Sequence, residues 1–239
     1  MTRRAGQFFT DSAPPSSEVD AAVRESMRRS ELLYPQLPTT YSGSLRIQYA
    51  TRWLLLALEH RESFLMLVDA NRRSSAYALM RSIYEAWSRG FWASSAASDA
   101  QIEAMSKGRY VPKMETIAKE LSRQLDASIS PAAAAANPEL QRGAVARSKA
   151  MLWDSLSDFA HGGVQQLARW SEADGTIAPA HIDEEMVWML RIVDVWGLIT
   201  CAALFDAGGM GIPDVVQEIL QELAAARPAE LMPQRPRAG

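Results

Sequence analysis

One cysteine and three histidines are all the thiol and imidazole chemistry that 239 residues carry. Cys201 has no partner for an internal disulfide, which excludes a disulfide-stapled secreted scaffold and leads us to expect a reducing, cytoplasmic setting. It lies in the apolar run GLITCAALF and reads as a small buried hydrophobe. The histidines, His60, His161 and His181, are far apart, and none stands in the Glu-x-x-His spacing of a di-metal bundle. No metal or cofactor is therefore expected. A Gly-rich phosphate loop with a following Lys, a dinucleotide fingerprint and a Gly-x-Ser-x-Gly elbow are all missing. A positive charge excess is missing too: the net charge is −3, so no global field draws the chain to nucleic acid or to an acidic membrane, which leaves only a local basic patch open. The N-terminal residues MTRRAGQFFTDSAPPSSEVD have two arginines but no apolar segment behind them, so no secretory signal is expected. The most hydrophobic run, residues 195–205, falls short of the ~20 residues that span a bilayer, so a buried helix is expected there and no membrane anchor.

Strand patterning is absent as well. No run alternates apolar and polar β-branched residues, and nothing repeats at solenoid spacing. What remains is helical periodicity in a chain that is 48% hydrophobic and 22% charged, with enough length to bury a sizeable core. The expected architecture is all-α, a single-domain bundle of about six to eight helices over residues 17–226. A flexible arm (1–16), a mobile linker near 127–138 around SPAAAAANP, and a frayed tail (227–239) complete it. A first helix begins near Ser17 with early acids and a narrow apolar stripe (Val23, Met27, and Leu32 or Leu33), which suits the outside of a bundle. The next, about residues 45–71, is apolar nearly all round except for Glu59-His60-Arg61-Glu62, and so is central. Of that cluster, His60 reads as a solvated or ion-paired surface residue. Further helices are expected at about 74–96, in two shorter stretches ending near 125, from Pro138 into the stretch 151–170, at 182–207, and at 213–226. His181 falls at the start of the helix that begins at 182.

The stretch MLWDSLSDFAHGGVQQLARW, residues 151–170, sets polar groups where a plain bundle would have Leu and Ala. Were it helical throughout, Ser157, His161, Gln165 and Arg169 would follow at four-residue steps on one face, with Asp158 three before His161 and able to orient its ring. A single imidazole is the usual general acid or base near neutral pH. Arg169, or Arg81 from the earlier helix, would hold a phosphate. On that earlier helix Arg81 and Glu85 are four apart and can meet, and the surrounding Tyr77, Tyr84, Trp87 and Trp92 suggest that the pair is partly buried. The candidate site is thus His161, Asp158 and Arg81 for chemistry, with Arg169, Gln165, Ser157, Glu85 and Tyr84 for binding.

The pairing of R-S-x-Y-E-A-W (residues 81–87) with L-S-D-x-x-H-G-G (residues 156–163) resembles the HEPN-like superfamily, and more closely the bacterial helical proteins near abortive-infection families. The likeness covers roughly residues 45–205. It implies a HEPN-like helical core, a homodimer that brings two motifs together, and metal-independent cleavage of RNA in stress or phage defence. HEPN ribonucleases carry an arginine shortly before the histidine. Here Asp154, Ser155 and Leu156 stand in that region and the nearest upstream arginine is Arg147, so only His161 transfers residue by residue. Two readings follow from the sequence. One is a HEPN-like dimer with His161 at an RNA-cleaving or RNA-binding site. The other is a non-enzymatic bundle that binds a partner protein or small ligand, with Arg81, Glu85 and His161 as its buried polar cluster.

Overall fold

A computed structural model describes residues 14–128, 144–170 and 181–225. Among these residues there are nine α-helices and no strand, so the chain is an all-α bundle. The helices are α1 (Ser17–Leu33), α2 (Leu45–Asp69), α3 (Arg73–Phe91), α4 (Asp99–Ser106), α5 (Met114–Ser128), α6 (Ala144–His161), α7 (Val164–Ala168), α8 (Asp183–Ala207) and α9 (Asp214–Ala225). The ninth, beyond the six to eight expected, arises because the stretch 151–170 breaks into α6 and α7. Most of the expected N-terminal arm, most of the linker and all of the C-terminal tail lie outside the described residues.

The starts of α1, α2 and α4 carry side-chain caps. The hydroxyls of Ser16 and Ser44 accept the Val19 and Ile47 amides, and Ser98 forms a reciprocal capping box with Gln101. The α3 pattern, expected to reach residue 96 as α-helix, ends at Phe91 and widens into a π turn over Trp92–Ala96. There the Ala97 amide reaches back to the Trp92 carbonyl at 2.8 Å.

Helices α2 and α3 pack most extensively on one another and form the centre, with α6 against α3 and α8 against both. Two apolar clusters fill the interior. The larger gathers Phe64, Leu65, Tyr77, Met80, Tyr84, Phe159, Met186 and Val193, among others. The smaller gathers Leu54, Leu58, Leu198, Leu204, Phe205 and Val216. Both α2 and α8 contribute to both clusters; on α2, Arg61 lies between Leu58 of the smaller and Phe64 of the larger, and it brings Asp194 of α8 to that junction. Helix α8 is long and apolar enough to cross a membrane by composition, yet most of its apolar stretch is packed inside the bundle.

At that junction is a polar network that the sequence reading did not find. Arg61 and Asp194 are each 4% exposed at the side chain and meet at 2.6 Å, from Nη2 to Oδ1. Arg61 Nη1 also donates to Ser30 Oγ (2.6 Å), Glu62 (2.9 Å) and the Tyr34 hydroxyl (3.0 Å). Ser26 Oγ and Arg29 Nη1 complete the Asp194 carboxylate at 2.8 and 2.7 Å. Burial alone would pull the guanidinium down. Tyr34, Asp194 and Glu62 outweigh it and hold the group above the ordinary arginine range. The buried stripe of α1 is Val19, Val23, Ser26, Ser30 and Leu33, so its two serines face this network. Gly197 is required by close approach: a Cβ there would stand 2.6 Å from Arg61 Cδ and Nε. Cys201, nearby, is buried as expected, and burial pushes its thiol up to about 12.

Candidate functional site

The motif L-S-D-x-x-H-G-G builds the end of α6. Leu156 anchors it in the core at 1% exposure. His161 is the last helical residue, and Gly162 follows at φ +66°, the left-handed conformation that L side chains resist. The Gly163 amide then bonds the Asp158 carbonyl at 2.8 Å, closing a Schellman turn. The Asp158 carboxylate accepts the Gln166 amide at 3.1 Å, supplying α7 with the cap that its N-cap residue, Gly163, has no side chain to give. Leucine, aspartate and both glycines are therefore used by the turn. Ser157 and the His161 ring are the motif side chains it leaves over, and of the two only His161 is exposed.

From α3, Arg81 reaches that ring. Its Nη1 lies 2.7 Å from His161 Nε2, while its Nε donates to Glu85 Oε1 at 2.8 Å. Since guanidinium has only donors, Nε2 is the acceptor and the ring proton in this contact sits on Nδ1. The Arg81 guanidinium also lies over the Trp153 ring, 4.6 Å from its centroid, and Lys149 approaches the same ring at 5.5 Å. Glu85 accepts from Arg89 as well, at 2.6 Å. Partial burial raises the Glu85 carboxyl, but the two arginines overcome it and hold the group below its usual range. The Arg81 and Glu85 side chains are 23% and 22% exposed, so the pair is half-buried.

The other candidate residues lie elsewhere. Asp158 is engaged in the α7 cap, because the turn at Gly162 brings the Gln166 amide to its carboxylate, and among the described residues no hydrogen bond joins it to the imidazole. Arg169 makes a two-pronged pair with Glu185 (2.5 and 3.2 Å) and packs over Phe159 and Tyr77, at 4.7 and 5.5 Å. Its charge is committed inside the bundle, away from His161. Gln165 is exposed, and its carbonyl takes the remaining Arg169 bond at 2.5 Å. Ser157 is half-buried on α6. Tyr84 is 1% exposed, ringed by Trp87, Trp153 and Trp196, and burial pushes its hydroxyl up to about 12; it supports Trp153 from behind. His181 is half-buried and stacks on Tyr77 at 5.2 Å, while His60 is partly exposed on α2.

The fold and site define an all-helical protein with one exposed arginine-held imidazole at a helix end and a buried arginine–aspartate junction in its core. The chain belongs to a family of unknown function, DUF6988, whose model matches residues 54–224 and so takes in both features. No curated protein matches the chain, and no solved structure does.

Proposed function

We propose that this protein is a HEPN-like, metal-independent endoribonuclease acting in stress or phage defence, with Arg81 and His161 as its catalytic pair. The observation that carries the reading is the exposed imidazole with Nε2 2.7 Å from Arg81 Nη1. The HEPN arginine missing from α6 has a spatial substitute in Arg81, which brings a permanent positive charge to the same ring from α3. A phosphodiester entering the site takes the Arg81 donors onto its non-bridging oxygens, which frees Nε2. The neutral imidazole then accepts the proton of a ribose 2′-hydroxyl, and the 2′-oxygen attacks phosphorus. Arg81 stabilises the charge that builds on the phosphoryl oxygens. The P–O5′ bond breaks, a proton from a second imidazole or water completes the leaving hydroxyl, and a 2′,3′-cyclic phosphate remains. A homodimer supplies that second imidazole from the partner's own motif. Glu85 holds Arg81 in place, which makes it a positioning residue.

The competing reading, a non-enzymatic bundle that binds a partner protein or small ligand, draws on the ladder Arg81–Glu85–Arg89 lying against α6 through Trp153. The two part in cells. Wild type and His161→Ala are expressed from an inducible promoter while growth and total RNA are followed. The nuclease reading expects slowed growth and fragmented RNA with wild type alone. Identical behaviour of the two strains overturns it.

A further inference from the structure

Between α5 and α6 lies an open cleft of about 690 Å³ whose polar lining is Glu115, Lys119, Ser122, Arg123, Asp126 and Lys149. That volume is in the range of ligand sites, roughly 300–1,000 Å³. Its carboxylates stand near the two ends of α5, while Lys119 and Arg123, four apart on one face, occupy the middle. Among the described residues neither of these two cations forms an ion pair, and both are exposed. Lys149 joins them from α6. It is also the start of a continuous chain of contacts, because its ammonium lies over the Trp153 ring, that ring lies under Arg81, and Arg81 holds His161. Lys149, Trp153, Ser157 and His161 stand at four-residue steps, so the stripe from the cleft to the imidazole is about 18 Å long at the helical rise of ~1.5 Å per residue.

A cleft with unpaired cations, leading along a tryptophan to the Arg81–His161 pair, has the pattern of a track for a single nucleic-acid strand, its point charges spaced for phosphates. The net charge of −3 makes a local track more selective, since the rest of the surface does not attract a polyanion. The geometry points to the α5/α6 cleft as a binding groove for the phosphodiester backbone of single-stranded RNA, some three to five phosphates away from the bond cut at His161, by the spacing of a stretched or stacked strand. Lys119, Arg123 and Lys149 are its phosphate contacts. A mononucleotide cannot bridge the groove and the imidazole, so the groove favours longer strands. This inference rests on RNA being the substrate.

Binding is measured on full-length His161→Ala by fluorescence anisotropy with a labelled RNA 12-mer, a 4-mer and a nucleoside triphosphate, over a range of salt. A second protein carries Lys119→Ala, Arg123→Ala and Lys149→Ala in the same background, with circular dichroism as the check on folding. The expected result is at least tenfold weaker 12-mer binding by the second protein and a salt slope smaller by about two, the loss of three single-strand phosphate contacts. The 4-mer, too short to span the groove and the imidazole together, should bind His161→Ala more weakly than the 12-mer does, and equal affinity for the two lengths overturns the track. Unchanged 12-mer affinity and slope in the folded second protein overturns the groove. So does triphosphate binding as tight as the 12-mer and equally dependent on the three cations, which would make the cleft a nucleotide site. Cleavage by wild type with no effect of the three substitutions removes the groove and leaves the nuclease. Groove-dependent binding with no cleavage by wild type does the reverse.

Discussion

Arg61 and Asp194 join α2 to α8 through a buried ion pair that Ser26, Arg29 and Ser30 extend to α1, and removing either partner of the pair leaves a charge in the core. Asp194→Ala should therefore lower unfolding stability by about 3–5 kcal/mol, read from urea unfolding. Gly197→Ala, which drives a methyl group into the Arg61 side chain, should cost about 1–3 kcal/mol in the same measurement. His161→Ala should cost under ~0.5 kcal/mol, because the ring is exposed and its one contact is at the surface. A large loss of stability there would mean that the imidazole is part of the framework. The contrast shows which contacts spacing reveals. Arg81 and Glu85 are one helical turn apart, and their meeting follows from the sequence. Arg61 and Asp194 are separated by 133 positions, and the arginine is camouflaged among Glu59, His60 and Glu62, which share its helix but not its burial. A serine pair on the apolar stripe of α1, an aspartate within an apolar helix and a glycine three residues after it were the available signals.

At the scale of elements, the turn between α6 and α7 decides what the candidate site contains. Four-residue spacing places Ser157, His161, Gln165 and Arg169 together only if the helix continues, and Gly162 ends it by adopting a left-handed conformation. Asp158 and Arg169 then acquire other duties, as the α7 cap and the α7–α8 bridge. Asp158→Ala should cost about 1 kcal/mol, as lost caps do. Hydrogen exchange should show the Gln166 amide losing protection while the core of α6 keeps its own. Equal protection of Gln166 in both proteins would contradict the capping role. Most helix boundaries were legible because they are written in local chemistry, as at Ser17 with its early acids. The grouping of Arg81 with His161 was reached from the two motifs and the two residues do meet, but the geometry of the contact was not legible, since it depends on how α6 lies along α3, and that is set by Trp153, Phe159 and Leu156 packing into the larger cluster.

For the whole molecule, the all-α bundle was legible from periodicity, and the core helices α2 and α8 from being apolar nearly all round. Acid stability is a property at this scale. The carboxyls of Glu85 and Asp183 are both held below their ordinary values of 4.5 and 3.8. Burial opposes this in each. Arg81 and Arg89 prevail at Glu85, and Ser16 and Arg73 at Asp183. A carboxyl depressed in the folded state adds stability that is fully present above its unfolded value and is lost as pH falls through the folded one. The urea midpoint should thus be flat near neutral pH and fall below about pH 4.5, and Glu85→Gln should make that fall shallower. A midpoint that fell equally steeply in the variant would remove Glu85 from the acid response. The central claim, that the Arg81–His161 pair cuts RNA without a metal, is tested most directly with purified protein, 5′-labelled single-stranded RNA and excess chelator. Wild type should leave fragments ending in 2′,3′-cyclic phosphate, and His161→Ala should be at least ~100-fold slower. Intact RNA with wild type, or equal cleavage by the two proteins, would contradict it.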